Sequence, residues 1–183
     1  MNRMKLPKKY MGEEVNIKGI PDRCAHKEWV LEWGKNLLQN VKEGKSLLLY
    51  GNSSTGKSAI GAMCLKALFN YTEVLTGLWV RARQVPEFII EDTMYDDLET
   101  YKERMLAVDL LVIDEYMIFP NQNTFRQDTI EHIFRDRADA NKSTIITTNM
   151  TPMKMNNEAY TFYQVIQEHC EILKITGHNF REK

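Results

Sequence analysis

The chain alternates short apolar runs with stretches in which apolar residues recur at helical spacing. The runs that predict strands are residues 47–50, 73–80, 108–115, 142–149 and 171–176. Between them, a period of three to four residues predicts amphipathic helices at 26–41, 60–68, 97–107 and 129–138, with weaker helical patterns from Pro86 and Tyr160. This alternation predicts an α/β fold, a parallel five-stranded sheet with helices on both faces.

A glycine-rich loop joins the first predicted strand to the helix that follows it. The loop has the spacing Gly51-x-x-x-x-Gly56-Lys57-Ser58, which binds nucleotide phosphates when a strand precedes it and a helix follows it. Glycines let the main chain come close to a ligand, so successive N–H groups can surround a phosphate at the positive end of the helix dipole. The predicted nucleotide-binding residues are Gly51, Asn52, Ser53, Ser54, Thr55, Gly56, Lys57 and Ser58.

Two side chains of this loop have defined chemical roles in the phosphate-loop pattern. We expect Lys57 to reach the β- and γ-phosphates as a point charge, and the Ser58 hydroxyl to ligate Mg²⁺. The alternative, a chance Gly-Lys-Ser in a surface loop, is disfavoured by the strand and helix on either side. The pattern therefore predicts ATP and Mg²⁺ as ligands.

Two acids follow the continuous apolar run 110–113, which has the composition of a strand buried on both faces of a parallel sheet. The carboxyl ends of such strands lie at the edge where the phosphate loop also lies. Asp114 is therefore expected to hold Mg²⁺ through water, and Glu115 to take a proton from an attacking water. Without a phosphate loop, both acids would be interpreted as turn residues.

A polar amide ends the fourth predicted strand. Asn149 is expected beside Glu115, where its side chain could orient water against the γ-phosphate. Asparagine is also a common turn residue, so this interpretation depends on the loop and the two acids.

Composition sets the broad class of the protein. The 183 residues, 43% hydrophobic and 27% charged, are typical of one soluble globular domain. Residues 1–25 are predicted to form a basic arm that packs across a core at 26–183.

The chain lacks a long apolar run and a signal-peptide pattern, which predicts a cytoplasmic protein, in the bacterial host cytosol if phage-encoded. The three cysteines, Cys24, Cys64 and Cys170, are scattered along the chain, which indicates reduced, packed thiols and neither disulfide bridges nor metal ligands.

A formal net charge of −1 means that any DNA contact must be local or must arise through oligomerisation. Five basic residues are candidate phosphate contacts, although solvated surface is the simpler account of each. They are Arg3, Lys8, Lys9, Arg81 and Arg83.

Together, these motifs resemble the DnaC/IstB group of AAA+ ATPases, which includes bacterial and phage helicase loaders and transposition helper ATPases. The resemblance runs through residues 6–10, 47–51, 108–115, 144–149 and 176–181. It implies an AAA+ ATPase core at 26–183, with Walker A at 51–58, Walker B at Asp114 and Glu115, and sensor 1 at Asn149.

The resemblance also implies a function. It implies an ATPase, slow without partner or DNA, that acts as a DNA replication helicase loader of phage or mobile-element origin. The implied partners are a replicative ring helicase, single-stranded DNA and further copies of the chain across nucleotide interfaces, with no membrane. The alternatives are an IstB-like transposition helper that selects target DNA and a nucleotide-bound adaptor with little hydrolysis.

The arginines are where the chain departs from the group. Residues 162–169, after sensor 1, contain no arginine finger, so one would have to come from elsewhere, such as Arg126, Arg135 or Arg137. Arg137 matches an arginine common in the group, or is a solvent-facing charge paired with Asp136 or Asp139. Arg181 falls where the group carries a sensor-2 arginine, or belongs to a frayed tail. With only a short arm before residue 26, the chain is expected to be the bare ATPase core.

Overall fold

The computed structural model describes residues 6–11, 26–72, 74–94, 100–118 and 124–176. Five parallel strands form one sheet with the spatial order β2-β3-β4-β1-β5. The strands are β1 (Ser46–Tyr50), β2 (Gly77–Arg81), β3 (Leu110–Tyr116), β4 (Ser143–Thr148) and β5 (Cys170–Lys174).

Helices connect the strands and cover both faces of the sheet. They are α1 (Lys27–Lys35), α2 (Leu37–Lys42), α3 (Lys57–Tyr71), α4 (Val85–Met94), α5 (Tyr101–Ala107), α6 (Thr124–Asp139), α7 (Pro152–Glu158) and α8 (Tyr160–His169). None of the helices in the described ranges is long and apolar enough to cross a membrane.

The two faces of the sheet carry separate cores because successive side chains of a strand point in opposite directions. Leu47 and Leu49 of β1 pack with α1, α2 and α3, whereas Leu48 packs with the layer formed by α4 to α8. The central strands are therefore apolar on both sides. The predicted fold, a parallel five-stranded sheet between two helical layers, is confirmed.

Element boundaries differ from the predicted ones where local capping decides them. The single helix predicted over 26–41 is two helices that meet at Asn36. The helix predicted from residue 97 begins at Tyr101, because Thr100 and Glu103 form a reciprocal capping box there. Helix α7 was not predicted, and it begins where the Thr151 side chain accepts a hydrogen bond from the N–H of Lys154.

The described part of the predicted N-terminal arm packs against the domain. Leu6 is buried in the α1–α3 core, residues Lys8–Tyr10 form a short 3₁₀ helix, and the Tyr10 ring lies 5.6 Å from that of Trp79. Residues 1–5 and 12–25, including Cys24, lie outside the described ranges. Cys64 is a buried free thiol in α3, and burial raises its pKa to about 12.

Arg137 of α6 lies with its side chain fully buried, 0% exposed, at the amino edge of the sheet. Its guanidinium donates to the carbonyls of Met105 (2.7 Å), Val108 (2.8 Å) and Ser143 (2.5 Å), and to the hydroxyl of Thr144 (3.0 Å). It thereby satisfies carbonyls that the end of α5 leaves without intrahelical partners. The interpretation of Arg137 as a solvent-facing charge is wrong, because the bend after α5 encloses it.

Burial lowers the pKa of Arg137 to about 9, while the carboxylate of Asp109 acts in the opposite direction. The guanidinium therefore stays charged at neutral pH. Asp109 itself is hydrogen-bonded by Lys142 (2.8 Å) and by the N–H of Thr76 (2.8 Å). This cluster joins α5, α6, β3 and β4 at the edge opposite the glycine loop.

We predict that Arg137→Met lowers the free energy of unfolding by about 3 kcal/mol or more, because several buried carbonyls lose a charged donor at once. Arg137→Lys should recover only part of this loss, since one ammonium cannot reproduce the fork of donors. Urea unfolding at pH 7 measures both variants. A loss for Arg137→Met below about 1 kcal/mol, within the range of a single ordinary hydrogen bond, would contradict this structural role.

Candidate nucleotide-binding site

The glycine loop between β1 and α3 uses backbone angles that favour glycine. Gly51 has φ +146° and Gly56 has φ +98°, and Ser54 between them is left-handed at φ +63°. A β-carbon on Gly51 would collide with the carbonyl oxygen of Ile175, which follows β5. The N–H of Ile175 in turn donates to the carbonyl of Tyr50 at 2.7 Å. The loop therefore bends tightly against the end of β5.

Lys57, the first residue of α3, lies inside the curve of this loop. Its side chain is 6% exposed, and Nζ donates to the carbonyls of Gly51 (2.9 Å) and Asn52 (2.5 Å). Burial lowers the pKa of Lys57, and the carboxylate of Asp114 acts against that shift. Thr55 also closes the loop by donating to the carbonyl of Asn52 at 3.0 Å. The loop thus surrounds one ammonium group with its own carbonyls.

Ser58 occupies the second position of α3, in the first turn of the helix. Backbone N–H groups of a first helical turn have no intrahelical acceptor, so this end of α3 can receive an anion. The cap residue Gly56 offers no side chain to occupy these donors. The arrangement leaves the N–H groups at the start of α3 available to phosphate oxygens.

Asp114 is buried at 2% exposure near the carboxyl end of β3. The hydroxyl of Thr147, on the neighbouring strand β4, donates to Asp114 Oδ1 at 2.7 Å. Because β3 and β1 both run parallel to β4, which lies between them, the acid and the loop that follows β1 open onto the same edge of the sheet. The electrostatic effect of Asp114 on Lys57 is consistent with this proximity.

Glu115 is exposed, unlike the residues on either side of it. It has φ +60° and sits in a register shift between Ile113 and Tyr116, where β3 and β4 lose their regular pairing. Its N–H donates to Thr147 Oγ1 at 3.0 Å. The strand was predicted to end in the two acids, but it continues through Tyr116, which is buried against Phe162. The bulge turns Glu115 to solvent without ending the strand.

Asn149 is exposed directly after β4. Tyr116 pairs with Thr148, so Asn149 lies one residue beyond the last pair, at the edge that also carries Glu115. The structure therefore brings the loop residues, Asp114, Glu115 and Asn149 to one edge of the sheet, as their strand positions predicted.

Thr147 is a residue of this site that the sequence reasoning missed. It is 1% exposed and contacts both acids, through the side chain of Asp114 and the main chain of Glu115. Thr147 stands two positions before Asn149, a spacing that places both residues on the same face of the strand. That spacing could have indicated that Thr147 belongs to the site.

The candidate arginines lie elsewhere or cannot be described. Arg137 is enclosed at the opposite edge of the sheet, so its position does not support contact with a nucleotide on either this chain or a neighbour. Arg135 joins α6 to α8 by donating to the carbonyl of Thr161 at 3.1 Å. The Arg126 side chain and Arg181 lie outside the described residues.

The candidate DNA contacts are partly described. Lys8 and Arg83 are exposed and Arg81 is half-buried, whereas Arg3 and the Lys9 side chain lie outside the described part of the chain.

The glycine loop between β1 and α3, the acids of β3 and the strand order β2-β3-β4-β1-β5 define a P-loop NTPase fold of the AAA+ type. A family profile described as the bacterial DnaA ATPase domain matches residues 17–165. The match spans more than half of the chain. The chain therefore belongs to the bacterial DnaA ATPase domain family, within the AAA+ ATPases.

Solved structures share this fold over nearly the whole chain. The DnaC helicase loader superposes with a TM-score of 0.79 at 20% identity, covering 93% of this chain and 100% of that one. DnaI gives a TM-score of 0.74 at 18% identity, covering 96% and 94%. AMPPCP-bound DnaA from Aquifex aeolicus gives 0.73 at 16% identity, covering 91% and 51%. No curated protein sequence matches the chain at a significant level.

At these identities the structural likenesses describe the fold. They confirm the predicted DnaC-like AAA+ architecture. With the family match, they support assignment as a replication-related AAA+ ATPase.

We predict that Gly51→Ala lowers the free energy of unfolding by at least about 2 kcal/mol, because the new methyl group meets a main-chain oxygen and the backbone angle is strained. Gly61→Ala is the comparison and should cost less. Gly61 lies within α3, and the atoms nearest its β-carbon are side-chain atoms of Val112 (2.9 Å) and Trp79 (3.4 Å), which can shift more easily than the main-chain oxygen that a β-carbon on Gly51 would meet. Thermal and urea unfolding compare the two variants. Equal losses in both would contradict the special constraint at Gly51.

Proposed function

We propose that this protein binds ATP with Mg²⁺, hydrolyses it, and uses the cycle to control loading of a ring helicase during DNA replication. The observation that carries the proposal is the convergence at one sheet edge of a glycine loop around Lys57, a buried Asp114 and an exposed Glu115. Each of these groups has the chemistry that nucleoside triphosphate hydrolysis needs.

The loop residues 51–58 would hold the phosphates of ATP. Lys57 Nζ exchanges its contacts with the carbonyls of Gly51 and Asn52 for phosphate oxygens. Burial lowers the pKa of this ammonium, so a nearby anion would restore the stabilisation that the charged form loses on burial. The N–H groups of the first turn of α3 add neutral donors to the same phosphates.

The donors at this edge fit a magnesium ion, which prefers oxygen ligands and keeps part of its water shell. The Ser58 hydroxyl would ligate the metal directly, and Asp114 would hold it through a water molecule. A bound Mg²⁺ neutralises charge on the phosphate oxygens during transfer. Asp114 suits the water-mediated role because Thr147 already holds one of its carboxylate oxygens.

Glu115 is the proposed general base, because its exposed side chain can accept a proton from a water molecule outside the loop. Asn149 is the proposed water-orienting or phosphate-sensing amide, one residue beyond the pairing of β3 with β4. Both lie on the solvent side of the buried Asp114. The metal-holding and proton-accepting groups are thus adjacent residues of β3.

The proposal of a loader is supported by the DnaC helicase loader, whose fold matches over 93% of this chain and 100% of its own, and by DnaI. A DnaA structure bound to AMPPCP and single-stranded DNA shares the fold as well. We therefore propose a ring helicase, single-stranded DNA and further copies of this chain as partners. ATP can drive such a switch only if it binds the partner-bound and free states with different affinities.

We predict that Glu115→Gln retains ATP binding and lowers turnover by about 10²–10⁴-fold, the usual contribution of a positioned general base. Steady-state phosphate release and fluorescent-nucleotide binding measure the two properties. Glu28→Gln, an exposed glutamate in the first turn of α1, is the matched control and should leave both unchanged. A turnover loss below about tenfold would remove Glu115 from this role.

The partner is tested by affinity capture from host lysate with tagged Glu115→Gln in the presence of ATP and Mg²⁺, followed by mass spectrometry. Recovery of the replicative helicase, lost in a Lys57→Ala variant that cannot hold the phosphates, is the expected result. Recovery of a transposase would instead support a target-selecting helper ATPase. Capture of a partner by a wild-type protein that shows no measurable turnover would support a nucleotide-bound adaptor.

A further inference from the structure

We infer that Thr147 is a positioning residue that uses one hydroxyl group to orient both the magnesium-holding acid and the general base. This inference rests on the proposed ATPase function of the same site. The DnaA family match and the structural likenesses assign no role to this residue.

The hydroxyl of Thr147 is committed in both directions. It donates its single proton to Asp114 Oδ1 at 2.7 Å and accepts the N–H of Glu115 at 3.0 Å. Thr147 and Asp114 are 1% and 2% exposed, so water does not compete for the bond between them. A hydroxyl carries one donor, and here that donor points to the acid. The carboxylate of Asp114 is therefore held in one orientation.

The second contact acts on the main chain of Glu115. This residue has φ +60°, an uncommon angle for a residue with a side chain, inside the register shift of β3 against β4. Where the regular ladder is interrupted, the Thr147 hydroxyl takes the N–H that a strand carbonyl would otherwise accept. Thr147 therefore supports the bulge that turns Glu115 to solvent.

Other threonines of β4 show that this arrangement is specific to position 147. Thr148 donates to the carbonyl of Tyr116 at 2.7 Å, and Thr144 accepts from the Arg137 guanidinium at 3.0 Å. Both are buried and neither of these bonds reaches an acid of the site. Thr144 thus offers a matched control at the opposite end of the same strand.

The test replaces Thr147 with valine, which keeps the shape of the side chain and removes the hydroxyl. We expect the Mg²⁺ concentration for half-maximal ATP hydrolysis to rise, and turnover at saturating Mg²⁺ to fall, each by about tenfold, the scale for losing a group that orients a metal ligand. ATP binding in EDTA should not change. Thr147→Ser, which restores the hydroxyl, should return both values to within about threefold of the wild type.

A readout independent of turnover is the thermal stabilisation of the protein by ATP, measured with and without Mg²⁺. In Thr147→Val, the additional stabilisation that Mg²⁺ gives should require about tenfold more Mg²⁺, while stabilisation by ATP alone remains. Thr144→Val should lower the melting temperature, because it leaves the Nε of Arg137 without its partner, and should leave the Mg²⁺ dependence unchanged. That control separates positioning from general destabilisation.

The outcomes distinguish the inference from the function on which it rests. A wild-type protein that neither binds nor hydrolyses ATP overturns both. A Mg²⁺-dependent wild type with an equally Mg²⁺-dependent Thr147→Val overturns the inference alone, as does a Thr147→Ser variant no better than Thr147→Val. The inference is supported if the Mg²⁺ requirement rises in Thr147→Val, returns toward the wild-type value in Thr147→Ser, and is unchanged in Thr144→Val.

Discussion

The parallel alignment of β3, β4 and β1 is the constraint on which the rest of this structure depends. Both faces of these strands are covered by helices, so polar groups with access to solvent can gather only at the ends of the strands. The glycine loop follows β1, the acids lie near the carboxyl end of β3, and Asn149 follows β4. Three segments separated by dozens of residues therefore open onto one edge, and β4 supplies the hydroxyl that contacts both acids of β3.

At the opposite edge of the same sheet, a buried charged side chain stabilises the fold. Arg137 is enclosed with carbonyls from α5 and β4, and its pKa, lowered to about 9 by burial, still leaves it charged. Lys57 at the other edge is also a buried cation that donates to main-chain carbonyls. An incoming anion can reach Lys57, because its loop opens to solvent. It cannot reach Arg137, because that side chain is enclosed on all sides.

Within this frame, the proposed switch requires few moving parts. Lys57 would exchange carbonyls for phosphate oxygens, Asp114 is already held by Thr147, and Glu115 is already turned outward by the bulge in β3. The acids are thus preorganised, and the changes on ATP binding would fall on the loop and on the segments that contact a partner. Preorganised groups favour turnover because they need little rearrangement during the reaction.

The sequence by itself determined the fold class, the glycine loop and the positions of Asp114, Glu115 and Asn149 along the chain. These features are local: a loop motif needs only its flanking strand and helix, and a buried strand is legible from its own apolar run. Only the tertiary structure decided the surroundings of Arg137 and Thr147. The Arg137 guanidinium is surrounded by carbonyls of α5 and β4, and the Thr147 hydroxyl contacts two acids of the neighbouring strand. Both arrangements depend on which strands pair and in what register. That pairing joins residues about thirty positions apart, and no local pattern records it.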